Sequence, residues 1–238
     1  MSPGPKLGSV DGALVENIAA RTAAARDRIA HAGGDPGLVR IVAVTKGFGP
    51  EVLSAAFAAG FSDFGENYAS ELVEKWATVA RAARWHFLGA VQRNKIGRLA
   101  PYVDCWQCVA RVLEGEAIMR HRAEDARAGL ESASMLVEVE TTGIAGRGGC
   151  RPDEVKAVVE GLLEHGCRVE GLMTVAPPGD PERARAAFER VARLRDELGL
   201  KELSMGMSED LEQAVAAGAT MVRLGTSLFG PRPQRRRL

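Results

Sequence analysis

Val39-Arg40-Ile41-Val42-Ala43-Val44-Thr45 is a short, apolar, β-branched run. Pro50 to Gly60 after it has helical composition and stops on glycine, and Ser62 to Asn67 is a second short β-forming run. A strand apolar on both faces, then a helix, then another such strand is the repeating unit of a parallel sheet covered by helices. The unit recurs along the chain. Strands are expected at 39–45, 62–67, 85–89, 103–109, 133–140, 169–175, 202–207 and 221–229. The helices between them are expected at 50–60, 68–82, 91–99, from after Val109 through Arg127, then at 152–165, 181–198 and 209–217. An open doubly wound sheet usually has five or six strands, whereas eight in about 250 residues is the size of a closed (β/α)8 TIM barrel. Seven helices leave one outer place. Leu14, Ile18, Ala25 and Ile29 recur at helical spacing ahead of Gly33-Gly34-Asp35-Pro36, so an N-terminal helix from Gly12 is expected to fill that place. The α/β organisation read from the chain is an arm over 1–11, one (β/α)8 barrel over 12–230, and a basic tail over 231–238 left to solvent.

Thirty-one basic side chains against 31 acidic ones give no net charge, which argues against a nucleic-acid or membrane-surface partner. A hydrophobic share of 46% excludes a disordered chain. No apolar run approaches the ~20 residues of a membrane span, and Met1–Gly8 has no apolar signal core. A cytoplasmic globular protein, acting as a monomer, is expected. Cys105, Cys108, Cys150 and Cys167 are too few for a disulfide scaffold.

A barrel puts its chemistry at the carboxyl ends of the strands and in the loops after them. Lysines are scarce here, six against 25 arginines, yet Lys46 ends the first strand. Alternation that turns Lys46 into the barrel mouth also turns Val44 and Val42 inward and sends Ile41 and Ala43 toward helices. An ammonium among apolar walls has its pKa lowered, which frees the amine to attack a carbonyl; the bland alternative is a snorkelling lysine. Ser208 stands where a helix N-cap is expected, Asp210 follows in the first turn, and the last strand runs Val222-Arg223-Leu224-Gly225-Thr226. Ser208, Gly225 and Thr226 on adjacent strands are therefore expected to converge on one phosphate. Ser204 and Met207 at the end of the seventh strand are counted with this lining. Asn67 is a candidate orienting amide. Arg223, inward with Met221, has an ion pair to a neighbouring strand as its bland alternative.

Other motifs carry less. Asp63-Phe64-Gly65 lacks the companion motifs of a kinase. His86 reads as a core histidine and Gln92–Lys95 as a solvated helix face. Cys105-Trp106-Gln107-Cys108 has redox or zinc spacing, but strand positions i and i+3 face opposite ways and no second ligand pair follows. Gly143–Gly149 is not a P-loop; it reads as a mobile loop over the mouth, with Arg147 a candidate anion contact. An amine on the first strand and a phosphate cradle on the last two fit one small aldehyde-bearing phosphate ester. Pyridoxal 5′-phosphate (PLP), held as a Schiff base, is the candidate. A PLP-dependent racemase-like enzyme and a Schiff-base aldolase acting on a sugar phosphate are the alternatives.

Val44-Thr-Lys46, Asp63-Phe-Gly-Glu-Asn-Tyr68, Trp85-His-Phe-Leu-Gly89 with Gln92-x-Asn94-Lys95, Gly171-Leu-Met173, Leu203-Ser-Met-Gly-Met-Ser208-x-Asp210 and Val222-Arg-x-Gly-Thr226 stand in the order and spacing of one family. Over about residues 12–232 the chain resembles the pyridoxal phosphate homeostasis proteins (the YggS/PROSC family), themselves similar to the N-terminal barrel domain of alanine racemase. The resemblance implies PLP on Lys46, Arg223 facing the pyridine nitrogen, Asn67 near the ring, and the phosphate on Ser208, Gly225 and Thr226. It implies a carrier that passes the cofactor transiently to PLP-dependent apo-enzymes rather than an efficient amino-acid enzyme. Three positions depart from the pattern: Ala90 where a histidine is usual, Arg147-Gly-Gly149 for Lys-x-Gly, and Cys105 where serine is common.

Overall fold

The computed structural model describes residues 10–79, 82–124 and 133–233. The first nine residues of the expected arm, the end of the helix drawn through Arg127, and tail residues 234–238 lie outside these. Eight parallel strands close into a barrel in chain order: β1 (Arg40–Val44), β2 (Asp63–Glu66), β3 (Arg84–Phe87), β4 (Cys105–Val109), β5 (Ser134–Val139), β6 (Arg168–Thr174), β7 (Glu202–Ser204) and β8 (Met221–Leu224). The helices are α1 (Gly12–His31), α2 (Pro50–Ala58), α3 (Ala69–Val79), α4 (Arg93–Leu99), α5 (Val112–Glu124), α6 (Val155–Glu164), α7 (Pro181–Glu197), α8 (Leu211–Ala216) and α9 (Thr226–Phe229).

Closure brings the first strand beside the last, with Ile41 opposite Val222 and Val42 opposite Arg223. The expected helix α1 takes the remaining outer place, packed on α2, α8 and α9. Asp11 caps it by accepting from the backbone N–H groups of Ala13 and Leu14, a carboxylate meeting orphan donors at the positive end of the helix. Ile18, Ala25 and Ile29 form its buried stripe.

The main core lies between barrel and helices, where Ile41, Ala43, Phe64, Trp85, Trp106 and Val222 point outward. Val42, Val44, His86, Gln107, Met221 and Arg223 belong to the inside, as period-two alternation requires. At the amino end of the barrel Arg40 pairs with Asp63 and Glu202, and Arg84 with Glu170, so the interior is closed below by charge and open above.

Three expectations need correction. Cys105 and Cys108 do not face opposite ways: both belong to an interior cluster with Leu136 and Met173. The cause is a register shift against β5 between Trp106 and Val109, a bulge that adds one residue and returns the chain to the same face. The seventh strand stops at Ser204 rather than Met207. The last strand stops at Leu224, because Gly225 (φ −125°, ψ −78°) breaks the extended chain and Thr226–Phe229 coil into α9.

Candidate functional site

The carboxyl ends of the strands surround a cleft of about 570 Å³. Lys46, Asn67, Met207, Ser208, Arg223, Gly225 and Thr226 line it, seven of the eight positions singled out in the sequence. The eighth, Ser204, lies below and supports Arg223.

Lys46 follows β1 and shares the inner face with Val44. Burial lowers its pKa from the ordinary lysine value, and the charges of Arg232 and Arg223 add to the effect, while Glu66 and Cys108 work against it. Desolvation and like charge both penalise the ammonium. The amine is therefore available at lower pH than that of an exposed lysine.

Arg223 is buried on the inner face of β8 (6% exposed). Its Nη1 donates to Ser204 Oγ at 2.8 Å and its Nη2 to the Thr174 carbonyl at 2.8 Å. Both acceptors are neutral, so the ion pair considered from sequence is not what holds it. The Glu138 carboxyl has its pKa raised by burial, and the nearby Arg223 charge opposes that rise. Ser204 continues a polar chain through the barrel. Gln107 bridges Ser204 Oγ (2.7 Å) and His86 Nδ1 (2.8 Å), and His86 Nε2 meets Asp63 Oδ1 at 2.9 Å. The core histidine is thus a link between the amino end of the barrel and the guanidinium at its mouth.

The two last strand ends converge as expected. Ser208 Oγ donates to Ser227 Oγ at 3.0 Å and lies 3.4 Å from Thr226 Oγ1. Ser208 is not the N-cap, however: α8 begins later, with Asp210 at that place. The Asp210 carboxylate instead accepts from the Met207 N–H at 2.6 Å. Gly206 makes the turn possible at φ +92°, where a Cβ would lie 2.5 Å from Ala214 Cβ. Arg28 on α1 steadies the loop by donating to the Ser208 carbonyl at 3.0 Å while paired with Glu212. A Cβ at Gly225 would lie 3.1 Å from the Val44 carbonyl, so this glycine also serves the close approach of β8 to β1. The cradle is a set of hydroxyls and backbone rather than a helix end.

Sequence reasoning missed several neighbours. Arg232, in a tail read as solvated, lines the cleft, and its Cδ would be 3.3 Å from a Cβ at Gly47. Gly230, at φ +82°, reverses the chain there, but nothing local announces the contact. Glu138 lines the opposite wall together with Arg147, the expected anion contact, so the 141–150 loop does reach the mouth. Asn67 Oδ1 is buried without a hydrogen-bond partner among the described residues. A half-buried amine with a depressed pKa, a buried guanidinium on neutral acceptors, an unpartnered amide oxygen and a hydroxyl cluster fit an aromatic aldehyde carrying a phosphate.

Residues 15–233 match the family described as alanine racemase, N-terminal domain. A pyridoxal phosphate homeostasis protein of Pseudomonas aeruginosa is 38% identical over 224 residues, 92% of this chain and 96% of that one. The chain belongs to the pyridoxal phosphate homeostasis family. Among solved structures, PipY of Synechococcus elongatus has been determined with PLP bound. It is 32% identical, with a TM-score of 0.78 over 90% of this chain and all of that one (100%). The alanine racemase of Corynebacterium glutamicum shares the fold alone, at 17% identity and a TM-score of 0.66, and this chain covers 63% of it. The closed parallel barrel expected from the sequence is thus the fold of the pyridoxal phosphate homeostasis family.

Proposed function

We propose that this protein holds pyridoxal 5′-phosphate as a Schiff base on Lys46 and takes part in vitamin B6 homeostasis, without efficient amino-acid turnover. The observation that carries the reading is Lys46: a half-buried amine facing the cleft, with its pKa held down by burial and two arginines, beside a cluster of hydroxyls. Ser208, Gly225 and Thr226 receive the phosphate in this reading, with Arg232 beside them, Asn67 offers its amide to the ring substituents, and Met207 covers the ring. Arg223, held by Ser204 and the Thr174 carbonyl, faces the pyridine nitrogen. When bound, the pyridine ring supplies an electron sink, and that sink is strong only if its nitrogen is protonated. Arginine cannot give up a proton at accessible pH, so Arg223 leaves the sink weak. Neither Tyr68 nor Tyr102 lines the cleft, and Tyr102 packs on Trp76. PLP-dependent apo-enzymes in the cytoplasm are the expected recipients, and a monomer suffices.

Purified protein reconstituted with PLP should be yellow, and borohydride should fix the label on Lys46. Lys46→Ala should remove both signals, and α-deuterium exchange of amino acids in D₂O should be slight. A wild type that stays colourless after reconstitution would sink the reading.

A further inference from the structure

Behind Lys46, outside the barrel wall, three charged side chains are buried between β1, β2 and α3. Lys75 Nζ lies 2.7 Å from Glu66 Oε1 and 3.0 Å from Glu71 Oε2, and the lysine, Glu66 and Glu71 side chains are 4%, 0% and 11% exposed. Thr45 Oγ1 donates to Glu66 Oε1 at 2.6 Å. Burying such a group is costly in desolvation, and ion pairs of this kind are weak evidence for stability by themselves. Their partners point to another role. Lys75 Nζ also donates to the Thr45 carbonyl at 2.7 Å, and the Gly47 N–H donates to Glu71 Oε2 at 2.8 Å. The cluster therefore grips the backbone on both sides of Lys46. It does so where the sheet stops: the Thr45 N–H bond to the Gly65 carbonyl (3.1 Å) lies one residue short of the lysine.

We infer that Glu66, Glu71 and Lys75 are positioning residues that lock the peptide groups flanking Lys46 and so aim its ε-amine at the carbonyl carbon of an aldehyde. The inference rests on the proposed reading of Lys46 as the amine that takes PLP. In that reaction the C=O bond is replaced by C=N, and the oxygen leaves as water with the two hydrogens of the amine, so no oxidant or reductant is involved. The amine must meet the carbonyl within a narrow range of distance and angle, and a lysine on an untethered strand end would spread over many directions. Glu66 contributes once more, because its charge tempers the loss of the Lys46 ammonium, while its Oε2 is buried without a partner among the described residues.

Two variants separate aiming from damage to the fold. Glu71→Gln keeps the side-chain shape and removes the charge. The triple Glu66→Gln/Glu71→Leu/Lys75→Met replacement leaves no unpaired charge in the cluster, a change that buried ion clusters commonly tolerate. Each is titrated with PLP, read by Schiff-base absorbance and by borohydride reduction with mass mapping. Each is also titrated with pyridoxine 5′-phosphate, which has the same ring and phosphate but an alcohol in place of the aldehyde. Schiff-base formation should fall on the order of tenfold, the worth of a charge-assisted hydrogen bond, while pyridoxine 5′-phosphate affinity stays within about twofold. Unchanged Schiff-base formation in both variants, or equal loss for both ligands, overturns the inference. A wild type in which Lys46 stays unmodified overturns the proposed function instead.

Discussion

At Lys46 the balance of neighbouring charge decides how much free amine exists near neutral pH. Burial lowers its pKa first, then Arg232 and Arg223, and Glu66 and Cys108 pull the other way. Arg232→Gln removes a positive neighbour, so the ammonium is favoured and the pKa rises. The pH at which the variant reacts half-maximally with PLP should therefore move upward, read from the rate of absorbance gain across a pH series. A profile that stays in place or moves downward would contradict this account of the lysine. Lys46 was legible in the sequence because period-two alternation over Ile41–Thr45 sorts inner from outer side chains. Arg232 was not, since its contact with the Gly47 region joins residues far apart along the chain.

Among the elements, the turn from β7 into α8 is the most constrained part of the cradle. Gly206 sits at a positive φ with Ala214 Cβ where its own Cβ would be. Gly206→Ala should cost about 2 kcal/mol, combining left-handed strain with the clash. It should also weaken PLP binding by displacing Met207 and Ser208. Urea unfolding and a PLP titration check the two effects. The strand–helix repeat was readable because each apolar run is short and bounded by glycine or proline. The ends of elements were less so. Ser208 and Asp210 are both good caps two residues apart, and the choice between them turned on the Asp210 carboxylate folding back to the Met207 N–H. The β4 bulge leaves no mark on Cys105-Trp106-Gln107-Cys108, because an extra residue in a ladder is set by the partner strand β5. The brace of Glu66, Glu71 and Lys75 was equally invisible, as charged residues on β2 and α3 look like a solvated face until α3 packs on the wall.

For the molecule as a whole, the chain Asp63–His86–Gln107–Ser204–Arg223 runs through the barrel from its amino end to its mouth. Burial disfavours the charged imidazole of His86, but Cys105 and the Asp63 carboxylate outweigh it and lift the pKa from 6.5 to about 9. A folded-state pKa above the unfolded value stabilises the fold fully below the unfolded pKa, and that gain disappears as pH rises through the folded one. Unfolding free energy should thus fall as pH rises from 6.5 toward 10 on account of His86. His86→Gln should lack that component. Urea titrations of both proteins at the two pH values give the comparison, and equal slopes for both would refute it. The parallel closure was foreseen from the strand count, yet the polar thread inside it needed coordinates, because its members come from five different strands.

The pairing of β1 with β8 has a consequence for the assembly of the site. Lys46 and Arg223 lie far apart along the chain and come together only where those two strands pair, so under the proposed function both edges of the seam must be in place before one ligand can touch them. Under the proposed function a ligand spanning both edges is a clasp across the seam, so that its binding is tied to the closure of the barrel.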